Sequence, residues 1–422
     1  MFKKLSFGII LALIVFTVSS VSFSGPDKKS KDNLYREIEL FADTLAIIQT
    51  DYVDEAKPKD LIYGALKGML SSLDPHSQFM DPDTYNELKV DTEGKFGGLG
   101  IVITIRDGLL TVVTPTEDTP AWKAGVKAGD RIVQINNELT RDMTLTDAVK
   151  RMRGKPGEAV NLTILRESEK KLLEFKIVRD IIKIKDIKEA RILEDGIAYI
   201  RLVEFRESTA RDMDAALDKL KKEGMNALIL DLRNNPGGLL EAAVEVTERF
   251  IEKGKLIVST KSRKSSQDLR FLSRAKDPIL DLPVVVLINE GSASGSEIVA
   301  AVFQDYKRGI VLGTKSFGKG VVQTVIPLSD GSALRLTTSK YITPLGRIIH
   351  EKGVIPDIAV EEGKIELATA KAEDVFEEME KKETGKPQKK EGESWNYKSD
   401  NQLMRALDVL KALKIYNQAK NN

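Results

Sequence analysis

The chain has no cysteine and only two histidines in 422 residues. The first absence excludes a thiolate nucleophile, a disulfide framework and any Cys-ligated zinc or iron–sulfur site. The second leaves one chain unable to build a three-His metal site. Neither sign of charge is in excess, with 65 Lys+Arg against 64 Asp+Glu. The basic footprint of bulk nucleic-acid binding is therefore missing. Long apolar runs are missing too. The longest, Phe7 to Val18, is about 12 residues, short of the roughly 20 that a membrane helix needs. What is present, 41% hydrophobic and 31% charged residues, reads as a globular chain long enough for two to four domains. Without disulfides, its stability must come from packing.

The N-terminus has its own composition. Lys3 and Lys4 precede the apolar run, and Ser19, Ser20, Ser22, Ser24 and Gly25 follow it. Residues 1–24 are expected to be a secretory signal peptide, with an uncleaved membrane anchor as the alternative. The expected location is therefore exported, in the periplasm or cell envelope.

Hydrophobic spacing divides the rest. Residues 25–95 read as an N-terminal helical segment, through the helical recurrence of Leu34, Ile38, Phe41, Leu45 and Ile48 and then of Leu61 to Leu70. Leu73-Asp74-Pro75-His76-Ser77 breaks it. Residues 96–180 read as a small β-rich sandwich. Gly97-Gly98-Leu99-Gly100 leads into a strand from Ile101, Asp107-Gly108 turns it, and Leu145 to Arg153 forms a helix. Residues 181–365 alternate strand and helix patterns, which predicts an α/β layer with a mostly parallel sheet. Residues 366–422 read as a charged linker and an amphipathic helix carrying Leu403, Leu407 and Leu410.

Two segments invite chemistry. Asn289 to Glu297, with the run Ser292-Ala293-Ser294-Gly295-Ser296, lies between an apolar strand and a helix. Active sites of open α/β sheets gather there. A serine at that place has free helix N-terminal amides beside it, which can stabilise an oxyanion. The same residues also fit a helix cap, Ser294-x-x-Glu297. Asp231 to Gly238 has the same placement, and its paired glycines permit close approach of a substrate.

A nucleophilic serine needs a base. His76 and His350 are the only histidines, and neither has a sequence context built for that task. Lysine is the known alternative. Lys315 and Lys319, in Thr314-Lys315-Ser316-Phe317-Gly318-Lys319-Gly320, are the candidates. A lysine base must give up about 4 kcal/mol of preference for its ammonium form near neutral pH. Burial is the physical route, and Phe317 is the apolar group at hand to provide it.

Taken together, the motifs resemble those of the carboxyl-terminal processing peptidases, or tail-specific proteases, over nearly the whole length after residue 25. The matching stretches are Leu73 to Ser77, Gly97 to Gly100, Asp231 to Gly238, Gly291 to Ile298, Ser316 to Gln323, and Tyr341 to Arg347. The resemblance implies a Clp/crotonase-like α/β core with an inserted PDZ domain. It implies Ser294 as nucleophile, Lys319 as general base, and Gln323 as the residue that orients it. The implied oxyanion donors are the amide of Gly295 and one amide of Gly237 or Gly238. Many relatives carry Ala where this chain has Gly295. The PDZ loop Gly98, Leu99, Gly100 and Ile101 is implied to hold a C-terminal carboxylate, with an apolar tail residue near Val149. Protein or peptide substrates with apolar C-termini are expected, along with a homo-oligomer and a possible adaptor or activator protein. No metal, cofactor or nucleic acid is called for, and the membrane enters only through an uncleaved N-terminus. The rival readings are a Ser–His–Asp hydrolase, which lacks a His between Ser294 and Ile349, and a catalytically inactive PDZ scaffold.

Overall fold

The computed structural model describes residues 28–167, 169, 171–363 and 397–421. Residues 1–24, the expected signal peptide, and most of the expected linker lie outside these residues. Two units emerge, Met1–Met69 and Leu70–Asn422. In the first, helix Lys28–Asp51 is followed after a short turn by helix Pro58–Ser71, which runs just past the boundary. Pro58 opens the second helix, where a missing N–H costs nothing. Leu34, Tyr35, Ile38, Leu40 and Phe41 of the first are exposed. Among the described residues no helix is long and apolar enough to cross a membrane.

The second unit is built on a six-stranded sheet in the order 187–192, 197–202, 227–231, 284–288, 310–313, 358–359. All neighbours are parallel except the first pair. Strands Ala227–Asp231 and Val284–Ile288 are buried at every residue. That explains their unbroken apolar sequence, because a parallel sheet is covered on both faces. Helices Thr209–Lys222, Leu240–Glu248 and Gly295–Asp305 contribute to the core on one face. The C-terminal helix Asn401–Asn421 covers the other, with Leu403, Ala406, Leu407 and Leu410 fully buried against Tyr199, Ile229, Leu287 and Leu312. Each of those leucines contributes about 1.5–3 kcal/mol. This apolar stripe therefore packs within the chain.

A second, antiparallel sheet was not foreseen by the sequence reading. It joins Gln78–Met80, Ala333–Ile342, Leu256–Ser262 and Arg270–Leu272, with Val321–Pro327 also paired to Ala333–Ile342. Gln78–Met80 thus brings the Leu73 to Ser77 turn beside strands more than 240 residues away.

The β-rich sandwich is an antiparallel sheet ordered 101–106, 109–115, 131–135, 159–166, 171–178. Helix Leu145–Met152 buries Ala148 and Met152 in its core, and Thr144 and Asp147 cap it reciprocally. Strands Lys95–Gly98 and Asp180–Lys183, which enter and leave it, pair with each other. The insertion therefore leaves and rejoins the core at one place.

Candidate active site

Three loops meet at the carboxyl ends of adjacent parallel strands: 232–239 after 227–231, 289–294 after 284–288, and 314–320 after 310–313. Ser294 precedes helix Gly295–Asp305 with φ 52° and ψ −111°. A non-glycine residue there stores about 1–3 kcal/mol, tolerated only where the surroundings enforce it. The first loop enforces it. The Asn235 carbonyl accepts from the Ala293 amide at 3.0 Å and from Ser296 Oγ at 2.9 Å. Ser292 Oγ donates to the Leu232 carbonyl at 2.8 Å. Ser292 and Ser296 thus give their hydroxyls to backbone carbonyls. Nearby, burial pushes the Tyr341 pKa up to about 12, against the opposing effect of the Ser294 hydroxyl. Ser294 is 8% exposed.

Glu297 ties the serine turn to the lysine loop. It is 0% exposed, and its carboxylate accepts from four donors. These are the amides of Ser294 (2.9 Å), Gly318 (2.7 Å) and Lys319 (2.8 Å), and Ser316 Oγ (2.6 Å). Burial pushes the Glu297 carboxyl above its usual range, against those four bonds. The cap seen in the sequence is therefore real in its carboxylate half, and the same carboxylate also anchors the lysine loop. That second task is invisible in sequence, because its donors lie about 20 residues away.

Lys319 is half-buried while Lys315 is exposed. Burial lowers the Lys319 pKa first, the Arg335 guanidinium adds to the effect, and Glu297 opposes it. Phe317 does not provide that burial. Its ring is 63% exposed, because its amide is tied to the Ser292 carbonyl at 3.0 Å, with Ser316 and Gly318 bound inward on either side. Gln323 gives its amide to the His76 carbonyl at 2.5 Å, so it fastens the Leu73 to Ser77 turn. That turn is held by Asp74, which accepts from the amides of His76 (2.7 Å) and Ser77 (2.8 Å), from Ser77 Oγ (2.8 Å) and from Thr337 Oγ1 (3.2 Å). Burial pushes the Asp74 carboxyl up, but these bonds outweigh it and hold it below the carboxylate range. The two histidines, remote in sequence, come together with ring centroids 6.1 Å apart.

Gly295 is the first residue of its helix, so its N–H has no intrahelical acceptor. A Cβ there would lie 3.1 Å from Ala243 Cβ and from the Phe205 ring, tighter than ordinary contact. The Gly237 amide is taken by Asn235 Oδ1 at 2.9 Å, which leaves Gly238 as the candidate second donor. Gly238 runs against Phe205, whose carbonyl would lie 2.0 Å from any added Cβ. Gly237 has φ +102°, and a Cβ on it would meet Ser294 Cβ at 2.7 Å. Gly237→Ala is expected to cost about 1–3 kcal/mol of stability and to lower kcat about 100-fold by displacing the serine. Melting curves and initial rates check both.

Asp231 and Arg233 of the same motif are structural. Tyr199 donates to Asp231 at 2.8 Å, and Arg233 bridges Asp231 (2.6 Å) to Asp400 (2.8 Å) at the start of the C-terminal helix. In the sandwich, Gly98, Leu99, Gly100 and Ile101 line a cavity of about 110 Å³ together with Phe96, Val149, Met152 and Arg153. Sequence reasoning missed Arg153, whose guanidinium stacks 4.5 Å from the Phe96 ring centroid. Its place one residue past the helix Leu145–Met152 was the only available signal. Among the described residues no cluster of three or more carboxylates or histidines is arranged for a metal.

Comparison with known proteins agrees with this anatomy. Residues 196–360 match peptidase family S41, residues 111–166 a PDZ domain, and residues 16–84 the N-terminal domain of the activating protease CtpB. A carboxy-terminal-processing protease of Bartonella bacilliformis is 46% identical over 337 residues, covering 79% of this chain and 77% of that one. The carboxy-terminal processing protease CtpA of Bacillus subtilis is 34% identical over 351 residues, covering 83% and 74%. Among solved structures, a photosystem II D1 C-terminal processing protease is similar at 28% identity and TM-score 0.45, over 81% of this chain and 96% of that one. The chain belongs to the carboxy-terminal processing proteases, serine-type peptidases of family S41 that carry a PDZ domain.

Proposed function

We propose that the protein is an exported endopeptidase that captures protein C-terminal tails on its PDZ domain and cleaves by a Ser294–Lys319 dyad through an acyl-enzyme. One observation carries this reading. The serine whose hydroxyl is not given to a backbone carbonyl and the half-buried lysine have their amides on one carboxylate, Glu297. That shared anchor gives two loops a fixed mutual position, which a nucleophile and its base require.

In this mechanism, neutral Lys319 takes the proton of Ser294 as Oγ attacks the scissile carbonyl. The amides of Gly295 and Gly238 receive the developing oxyanion. Lys319 then protonates the leaving amine, and water attacks the ester carbonyl to release the acyl product and restore Ser294. The PDZ cavity takes an apolar terminal side chain. The edge strand from Ile101, paired on one side only, can accept the tail as an added strand. An activator or adaptor and a homo-oligomer fit the exposed apolar residues of helix Lys28–Asp51.

The tail reading is tested with one substrate protein ending in Ala-Ala or in Asp-Asp, cleaved by the wild type and by Val149→Glu. An apolar tail is expected to raise kcat/KM about tenfold or more with wild type and to give no advantage with Val149→Glu. Equal preference in both enzymes removes the PDZ cavity from tail selection.

A further inference from the structure

Among the described residues of the second unit four arginines are buried, and each is matched by a carboxylate. Arg166 pairs with Asp130, Arg179 with Glu158, Arg206 with Asp186 and Arg233 with Asp231. Arg335, half-buried beside the active site, is not. Its Nη2 donates to a neutral acceptor, Gln78 Oε1, at 2.8 Å. Its Nε is buried without a partner. Among the described residues no carboxylate lies within ion-pair distance of it. A guanidinium with a buried, unpartnered Nε and no counter-ion is costly, so its charge calls for an explanation.

Strand register shows where that charge lies. Arg335 is opposite Gln78 on one side, and Thr337 is opposite Gln323 on the other. Cross-strand partners share a face, and so do residues two apart along a strand. Gln78, Arg335, Thr337 and Gln323 therefore occupy one face. The His76 turn is fastened to that same face, through Gln323 to the His76 carbonyl and Asp74 to Thr337. Lys319 stands four residues before Gln323, on the loop feeding that strand.

We propose that Arg335 is a positioning residue for the base: its uncompensated guanidinium, on the sheet face of Gln323, keeps Lys319 in the free-amine form. The inference rests on the reading of Lys319 as general base. It also answers a problem set by Glu297. A carboxylate fixed under the lysine loop favours the ammonium, which cannot accept the serine proton. A cation without a carboxylate of its own offsets that pull. Burial and Arg335 disfavour the Lys319 proton, and Glu297 favours it. His76 is subject to the same field. Burial, Lys319, His350 and Arg335 lower its pKa, against Asp74. His76 thus resists taking up a proton beside the base.

The test is kcat/KM against pH with a tailed fluorogenic peptide, for wild type, Arg335→Gln, Arg335→Lys and Gln78→Glu. Arg335→Gln is expected to move the acid limb up by about one pH unit, lowering the rate about tenfold on that limb and little on the alkaline plateau. Arg335→Lys keeps the limb near its wild-type place. Gln78→Glu gives the guanidinium a counter-ion without removing it, and is expected to move the limb up while raising the melting temperature. It also decides the matter if Arg335→Gln does not fold. A limb unmoved in Gln78→Glu, or a loss in Arg335→Gln that is the same at every pH, overturns the inference. Lys319→Ala, run alongside, separates the two readings. If it retains activity, the base assignment itself fails. If it is inactive and the limbs do not move, only the role of Arg335 fails.

Discussion

Lys319→Ala is expected to lower kcat/KM by at least about a thousandfold while leaving the fold intact, as removal of a general base does. Lys319→Arg is expected to be equally inactive, because a guanidinium stays protonated and cannot accept the serine proton. Lys319→Met carries a further expectation on stability. The folded protein lowers the Lys319 pKa from 10.5, chiefly by burial and then by Arg335. Between that lowered value and 10.5, the unfolded chain binds the proton more tightly, so stability rises with pH through this window. Below it the wild type bears the full penalty, and above 10.5 it bears none. Lys319→Met should therefore melt at a higher temperature than wild type, with the difference largest at low pH and closing toward pH 10.5. Thermal melts across that range check the sign. A difference that grows with pH contradicts a base held neutral by its surroundings.

Glu297→Ala is the second large effect. It removes the acceptor of three amides and one hydroxyl at a fully buried position. Bonds to a charged acceptor contribute about 1.5–3 kcal/mol each. They do not add in full once the loops relax, and a net loss of about 3–5 kcal/mol is expected. The serine turn and the lysine loop lose their common anchor, so kcat should fall about 100- to 1,000-fold. KM for a tailed substrate should change little, since the PDZ cavity is built from other residues. Glu297→Gln should fall between, because one amide oxygen replaces two carboxylate oxygens and an NH2 group then faces two N–H donors. The surviving activity of either variant should show its acid limb at lower pH, because the group favouring the Lys319 proton is gone. Denaturant melts and pH–rate profiles measure the two parts separately.

What the sequence made legible was local. The apolar strands 227–231 and 284–288 announce themselves because burial on both faces leaves no polar position in them. Gly237, Gly238 and Ser294 stood out because strand-to-helix turns concentrate glycine and serine where backbone angles are unusual. The second sheet was not legible. Gln78–Met80 is three residues long, and its partner Ala333–Ile342 alternates half-buried residues too weakly to announce a sheet. The histidines misled for the same reason. His76 and His350 look like isolated residues, yet that sheet and the bond from Gln323 bring His76 to the lysine loop. Gly320 has no side chain where the His350 amide passes, 2.2 Å from the place of a Cβ. Arg335 and the second task of Glu297 were missed because those roles lie in long-range partners. Phe317 was misjudged because a residue two positions from a lysine in sequence need not cover it when the backbone between them is turned by bonds to Glu297.

The central claim is that Ser294 is acylated by substrate with Lys319 as its base. Rapid quench in acid followed by mass spectrometry of the Ser294 peptide tests it most directly. The account predicts a substrate-derived acyl adduct on Ser294 in the wild type within the first turnover, none in Ser294→Ala, and formation slowed at least about a thousandfold in Lys319→Ala. An adduct on another residue, or one that forms in Lys319→Ala at the wild-type rate, would contradict it.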